Sequence, residues 1–396
     1  MNPSSFVNQA QRIHIGFFGC CNSGKSSLIN RITHQNVSVV SSMAGTTTDI
    51  VTKAMELLPL GPVLIIDTPG FDDQSHLGQK RIQKTKEALR RCDIALLVHD
   101  ATQEFNKTEK DLIQTFKQMN TPYLIIQNKC DLIQHKKNGV YVSALTAEGI
   151  EELKNKIASS FSFKEEKSLL KDLIKEKDQV LLIAPIDESA PKGRIILPQQ
   201  MALREILDQH AIAITLQPEQ IPFYLQNQTS SLTLAITDSQ AFSLAAKLLP
   251  DSVPLTSFSI LMARKKGFLK QALQGAKAIH SLKAQDKILI AEGCTHHRQC
   301  KDIGSVQLPA LLQKFTNKPI QIELSSGKGF PEDLSSYSLV IHCGGCMLND
   351  KEIQYRMRQC AQANIPVTNF GIILAYMKGI LARSIQMLEE RNILEI

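Results

Sequence analysis

Gly19-Cys20-Cys21-Asn22-Ser23-Gly24-Lys25-Ser26 is the segment that most narrows the fold. It follows an apolar run, Ile13 to Phe18, that reads as a buried strand, and it opens a helical stretch from Ser26 to Ile32. Strand, glycine loop and helix in that order let backbone N–H groups enclose a phosphate at the positive end of the helix. Gly19, Ser23, Gly24 and Ser27 then line the phosphate loop. Lys25 reaches the β/γ-phosphates, and the Ser26 hydroxyl ligates Mg²⁺. A chance glycine-rich turn would have neither flank.

Three further segments fit the same chemistry. Val63-Leu64-Ile65-Ile66-Asp67 is a buried strand ending in Asp67-Thr68-Pro69-Gly70. Asp67 there can hold Mg²⁺ through water, and the Gly70 N–H can sense a γ-phosphate. Tyr123 to Gln127 is a strand ending in Asn128-Lys129-Cys130-Asp131. The Asp131 carboxylate can accept paired bonds from guanine N1–H and its 2-amino group, which adenine cannot offer. Ser143-Ala144-Leu145 can present backbone N–H groups to guanine O6. These spacings resemble the translation-factor-like GTPases. Gly45-Thr46-Thr47-Thr48-Asp49 resembles the first switch of the tRNA-modification and Era-like GTPases. That resemblance implies Thr47 as a second Mg²⁺ ligand and Asn22 as a K⁺ ligand. Phe71 stands where Ras-type GTPases carry a water-orienting glutamine. GTP hydrolysis with Lys25, Thr47, Asp67 and Gly70 as its catalytic groups is therefore expected to be slow and K⁺-stimulated. Cys20, Cys21 and Cys130 read as small loop residues without a chemical role.

A chain of 396 residues exceeds one ordinary domain, and an α/β architecture in three parts is expected. These are a P-loop GTPase domain at 1–162, a small α/β domain at 178–265 whose cheapest reading is an adaptor or dimerisation role, and a mainly parallel α/β metal-cluster domain at 266–396. Ser162 to Asp178, dense in Lys, Glu and Asp, reads as a linker or exposed helix. No apolar run reaches the roughly 20 residues that span a bilayer, and no signal-peptide pattern opens the chain, so no membrane role is expected and the cytoplasm is the default location. A net charge of +7 without an aromatic-interleaved basic patch gives no argument for nucleic acid. No internal repeat stands out.

The last third alternates strands and helices. Cys294-Thr295-His296 follows one strand, Lys287 to Ala291, and His342-Cys343-Gly344-Gly345-Cys346 follows another, Ser338 to Ile341. Ligands of open parallel sheets gather beyond the carboxyl ends of strands, so the two segments should meet. Nine cysteines, an odd number and partly clustered, read as ligands rather than as a disulfide framework. Three thiolates with an imidazole suit Zn²⁺ or an iron–sulfur cluster, and spacing alone does not choose between them. Cys300 reads as a bystander. Pro366 to Thr368 is a short strand, and Gly371 to Leu388 reads as one helix.

Taken together, the chain resembles the FeFe-hydrogenase maturation GTPases of the HydF family. Besides the cysteine motifs, Ala190-Pro191-Lys192-Gly193-Arg194, Cys294-Thr295-His296-His297-Arg298 and Phe330-Pro331-Glu332-Asp333-Leu334 carry the resemblance. Lys266-Gly267-Phe268 departs from it, lacking an acidic residue after Lys-Gly. The resemblance implies a homodimeric scaffold or carrier. It implies a 4Fe-4S cluster on Cys294, Cys343 and Cys346 whose fourth iron site is labile, with His342 and His296 as candidate ligands. It further implies that a precursor of the hydrogenase diiron subcluster arrives from two radical-SAM maturases and passes to apo FeFe-hydrogenase. The rival reading is an Era-like RNA- or ribosome-associated GTPase with structural zinc. A third is an iron–sulfur GTPase serving another metalloenzyme.

Overall fold

Why the first part of the chain forms a sheet is visible in its alternation. In β1 (Ile13–Phe18), Ile15 and Phe17 join one apolar layer and Phe18 another. The same split holds in β3 (Gly61–Asp67) and β4 (Ile94–Asp100), every residue of which is buried. A strand covered on both faces must be a continuous apolar run, and these are. Helices α1 (Lys25–Thr33) and α4 (Ile150–Ser160) cover one face. Helices α2 (His76–Arg91) and α3 (Lys107–Gln118) cover the other. With β2 (Val51–Leu57), β5 (Tyr123–Asn128) and β6 (Val140–Tyr141) the sheet order is β2-β3-β1-β4-β5-β6, parallel except for β2. The structure is a computed structural model that describes residues 9–33, 50–70, 76–136, 138–160, 167–186, 195–228, 230–293, 303–327 and 329–391. The chain divides into two compact units, residues 1–165 and 166–396.

Residues 167–178 are not the solvated linker expected from their charge. Leu169, Leu170, Leu173 and Ile174 are buried in the second unit's core. The Glu205 carboxylate accepts the Leu169 and Leu170 N–H groups at 2.8 and 2.9 Å. Four apolar residues at helical spacing outweigh the charges interleaved with them.

Although no repeat stands out in the sequence, the second unit is built twice from one pattern. The first copy comprises β7 (Gln179–Ile183), α5 (Leu197–Asp208), β8 (Ile212–Leu216), β9 (Leu234–Thr237), α7 (Phe242–Leu248), β10 (Leu255–Ser257) and α8 (Phe258–Lys265), with α6 (Ile221–Asn227) interposed. After α9 (Leu269–Ala276), the second comprises β11 (Lys287–Glu292), α10 (Leu308–Thr316), β12 (Gln321–Ser326), β13 (Leu339–His342), α11 (Asp350–Gln362), β14 (Val367–Asn369) and α12 (Phe370–Met377). Both sheets are parallel, ordered β10-β9-β7-β8 and β14-β13-β11-β12. Registers also correspond. Val180 pairs with Leu234 and Ala235 with Leu255, as Ile288 pairs with Leu339 and Val340 with Val367. The written trace is short: Pro254-Leu255-Thr256-Ser257-Phe258 through Lys266-Gly267 matches Pro366-Val367-Thr368-Asn369-Phe370 through Lys378-Gly379. Elsewhere the copies share only generic apolar runs and differ in loop length, which hides them.

The equivalent helix starts, α8 and α12, meet. Ser257 and Asn369 are their N-caps, accepting from the Ile260 N–H at 3.2 Å and the Ile372 N–H at 2.8 Å. Asn369 Nδ2 donates to the Ser259 carbonyl at 2.9 Å, and the Gly371 N–H donates to Ser259 Oγ at 3.2 Å. A Cβ on Gly371 would lie 2.7 Å from that of Ser259. Gly371→Ala should therefore destabilise the second unit by about 1–3 kcal/mol, read as a lowered urea midpoint.

One sequence expectation needs correction here. The helix foreseen from Gly371 to Leu388 is two helices, α12 and α13 (Leu381–Glu390), bent by 118°. Gly379 at φ +71° takes the chain out of the first.

Candidate functional sites

The first site forms where β1, β3, β4 and β5 end together. Lys25 starts α1 and is buried, and Ser26 beside it donates to Asp67 Oδ2 at 3.5 Å. Gly70 packs against Cys21. Asn22, exposed, adopts φ +61° at the tip of the loop. Asn128 is the tie of the site. Its Nδ2 donates to the Ser23 carbonyl at 2.8 Å, and its Oδ1 accepts the Ala144 N–H at 3.2 Å. One side chain thus joins the phosphate loop to the Ser143–Ala144 loop. Lys129, at φ +63°, donates to Asp100, and Asp131 stays exposed. Burial opposes Asp100's charge, but Lys129 and Thr102 outweigh it and hold its pKa below the usual carboxylate value. Ser27 lies in the first turn of α1, and Ser143 Oγ accepts the Thr146 N–H at 3.1 Å. Thr47 and Phe71 lie outside the described residues.

Arg31 was not foreseen. It donates from Nε to the Ala144 carbonyl at 2.9 Å and from Nη2 to the Leu145 carbonyl at 2.8 Å, bracing the loop expected to read guanine. Its only sequence signal is its place one turn and a half after the P-loop. His99, at the end of β4, was also missed. Its Nδ1 faces Glu109 Oε1 at 2.8 Å and its Nε2 the Gln103 carbonyl at 3.0 Å. Both partners are acceptors, so the site favours the imidazolium form. Burial opposes that charge, yet Glu109 outweighs it and the pKa is raised above 6.5. This group stabilises the fold fully below pH ~6.5, and the contribution is lost as pH rises through the raised value. Thermal melts of wild type should therefore lose stability across that window, and those of Glu109→Gln should not.

The second site lies where β11 and β13 end side by side, Ala291 paired with His342. The Gly293 N–H donates to Cys343 Sγ at 3.0 Å, and the Gly345 N–H to the same sulfur at 3.4 Å. Gly293 is the residue before Cys294, so the chain leading into Cys294 touches the Cys343 sulfur. Cys294, His296 and Cys300 lie outside the described residues. Among the described residues, no group of three or more Cys, His, Asp or Glu side chains is arranged to hold a metal. Burial raises both described thiols, Cys343 against the lowering effect of its two N–H donors and Cys346 up to about 12. A positively charged centre inverts that preference and takes them as thiolates. Two amide donors aimed at one sulfur fit a metal-bound thiolate.

His342 is fully buried. Its Nδ1 faces the Cys343 carbonyl at 2.7 Å, and Arg356 Nη1 lies 3.1 Å from its Nε2. Burial, then the Arg356 charge, lowers its pKa to about 3, so the ring is neutral. Arg356 is buried as well. It donates from Nε to Glu352 Oε1 at 2.9 Å and from Nη2 to the Gly327 carbonyl at 2.6 Å, over the Phe330 ring. Lys266, in the stretch lacking the acidic residue, donates to the Leu348 carbonyl at 2.8 Å and Asp350 Oδ1 at 2.7 Å, just beyond Cys346.

The sheet order, P-loop and guanine-loop residues of the first unit define a P-loop GTPase domain. Residues 14–129 match the family description "50S ribosome-binding GTPase". Residues 169–267 and 270–387 match "Hydrogen maturase F dimerization domain" and "Hydrogen maturase F tetramerization domain". The chain belongs to the hydrogen maturase F family. It is 32% identical over 195 residues to the tRNA modification GTPase MnmE of Clostridioides difficile, covering 46% of this chain and 41% of that protein. It is 34% identical over 130 residues to the GTPase Der of Clostridium acetobutylicum, covering 32% and 30%. The chain thus spans less than half the length of either relative. Among solved structures, Era of Aquifex aeolicus in complex with GDP·AlF4⁻ aligns at TM-score 0.35 and 17% identity, covering 79% of this chain and 92% of that one. No single described helix is long and apolar enough to cross a membrane.

Proposed function

We propose that this chain is a GTP-gated scaffold that holds a 4Fe-4S cluster and delivers the diiron-subcluster precursor to apo FeFe-hydrogenase. The observation that carries the reading is the 3.0 Å contact from the Gly293 N–H to Cys343 Sγ, which sets the residue before Cys294 against the Cys343-x-x-Cys346 loop. Cys294, Cys343 and Cys346 are the thiolate ligands, and His296 and His342 the candidates for the fourth position. The bound cluster supplies an anchor with one exchangeable iron site. Residues 178–265 associate as a homodimer and residues 266–396 bind the cluster. The two radical-SAM maturases are the donors of the precursor, and neither nucleic acid nor membrane takes part. Location in the cytoplasm accords with this chemistry.

The nucleotide switch supports the same role. Gly19, Ser23, Gly24, Lys25 and Ser27 hold the phosphates, Ser26, Thr47 and Asp67 hold Mg²⁺, and Asn22 holds K⁺. Asn128, Lys129, Asp131, Ser143 and Ala144 select guanine, and Gly70 reports the γ-phosphate. Hydrolysis is slow and K⁺-stimulated, and it times partner encounters rather than acting on iron. Asp131→Asn should weaken GTP binding about 100-fold, the loss of two charge-assisted bonds at about 1.5 kcal/mol each, measured by nucleotide titration.

The direct test is activation of apo FeFe-hydrogenase by the full-length protein pre-loaded with both maturases. Hydrogen evolution that depends on this chain, and that Cys346→Ala abolishes, is the expected result. No activation, together with one tightly held zinc and RNA binding that weakens steeply with salt, would overturn it in favour of the Era-like reading.

A further inference from the structure

Resting on the cluster reading above, we infer that His342 is not an iron ligand but a positioning residue, locked between Arg356 and the Cys343 carbonyl so that it orients the cysteine loop. A guanidinium has donors only, so the Arg356 Nη1 contact of 3.1 Å makes His342 Nε2 the acceptor. A carbonyl is an acceptor only, so the 2.7 Å contact to Cys343 makes Nδ1 the protonated nitrogen. One lone pair is engaged and the other nitrogen carries hydrogen. Neither is open to a metal.

Freeing Nε2 has a cost elsewhere. Arg356 is 1% exposed, and its remaining bonds go to Glu352 and the Gly327 carbonyl. Turning His342 toward iron would strip one partner from a buried cation, and buried charges persist only when their donors are met. The same hub has a positive role. It links the end of β12 through Gly327, the end of β13 through His342, and the start of α11 through Glu352. Cys343 sits next to this junction, with its carbonyl fixed by His342 and its sulfur by Gly293 and Gly345. Ligand orientation set by a buried hydrogen-bond chain is how outer groups tune metal sites. The fourth iron position is then not filled by His342.

The test uses the full-length protein reconstituted anaerobically, in a His296→Ala background so that the other imidazole cannot contribute. Pulsed EPR of the reduced cluster should show no nitrogen coupling of directly bound size. His342→Gln, whose amide oxygen can still accept from Arg356, should keep about four irons per chain and an unchanged nitrogen spectrum. Arg356→Gln, which leaves the His342 ring intact, should lower iron retention at least threefold relative to His342→Gln. A strongly coupled nitrogen in the His296→Ala protein that disappears with His342→Gln would overturn the inference, and that spectrum is recorded on protein with the hub intact. Uptake of zinc and no iron by wild type would instead overturn the cluster reading itself, and this inference with it.

Discussion

Lys25→Ala should lower GTP turnover about 10²–10³-fold while leaving the melting curve of the first unit unchanged. The side chain is buried at the first position of α1, directly after the phosphate loop. Alanine keeps the helix, so the loss is one of charge at the transferred phosphoryl group rather than of fold. Phosphate release at saturating GTP and K⁺ reads the effect. A fall of less than tenfold would mean that the P-loop lysine does not act on the phosphates.

Arg356→Leu should strongly destabilise the second unit. It leaves the Glu352 carboxylate, the His342 Nε2 lone pair and the Gly327 carbonyl without their donor in a buried site. Breaking a buried pair in this way costs about 3–5 kcal/mol, or a fall of about 10 °C in Tm for a unit of this size. Arg204 provides the control. It pairs with Asp208 one helical turn on, but its side chain is 78% exposed, so Arg204→Leu should change stability by less than about 0.5 kcal/mol. Calorimetry of the two variants separates a buried hub from a solvated ion pair.

How much could be read from the chain follows from the range of the interactions. The P-loop, Asp67 to Gly70 and Asn128 to Asp131 are contiguous motifs at the ends of apolar strands, so both fold class and placement were readable. The meeting of the β11 and β13 ends was also readable, because a parallel sheet fixes where carboxyl ends lie. Three features were not. Residues 169–174 looked solvated because charges separate their leucines, and only packing against α5 reveals them as core. The duplication was hidden because one apolar strand resembles another, and only the order and register of two sheets expose it. The engagement of His342 depends on an arginine fourteen residues later on another element. Nothing in His-Cys-Gly-Gly-Cys distinguishes an imidazole that binds metal from one already held on both nitrogens.

The measurement closest to the central claim is metal analysis with EPR after anaerobic reconstitution with iron and sulfide, on wild type and Cys343→Ala. The account predicts about four irons per wild-type chain, with a reduced-cluster signal. Both should be lost when Cys343, the sulfur touched by the Gly293 and Gly345 amides, is removed. Stoichiometric zinc with no such signal, or a cluster that survives in Cys343→Ala, would contradict it.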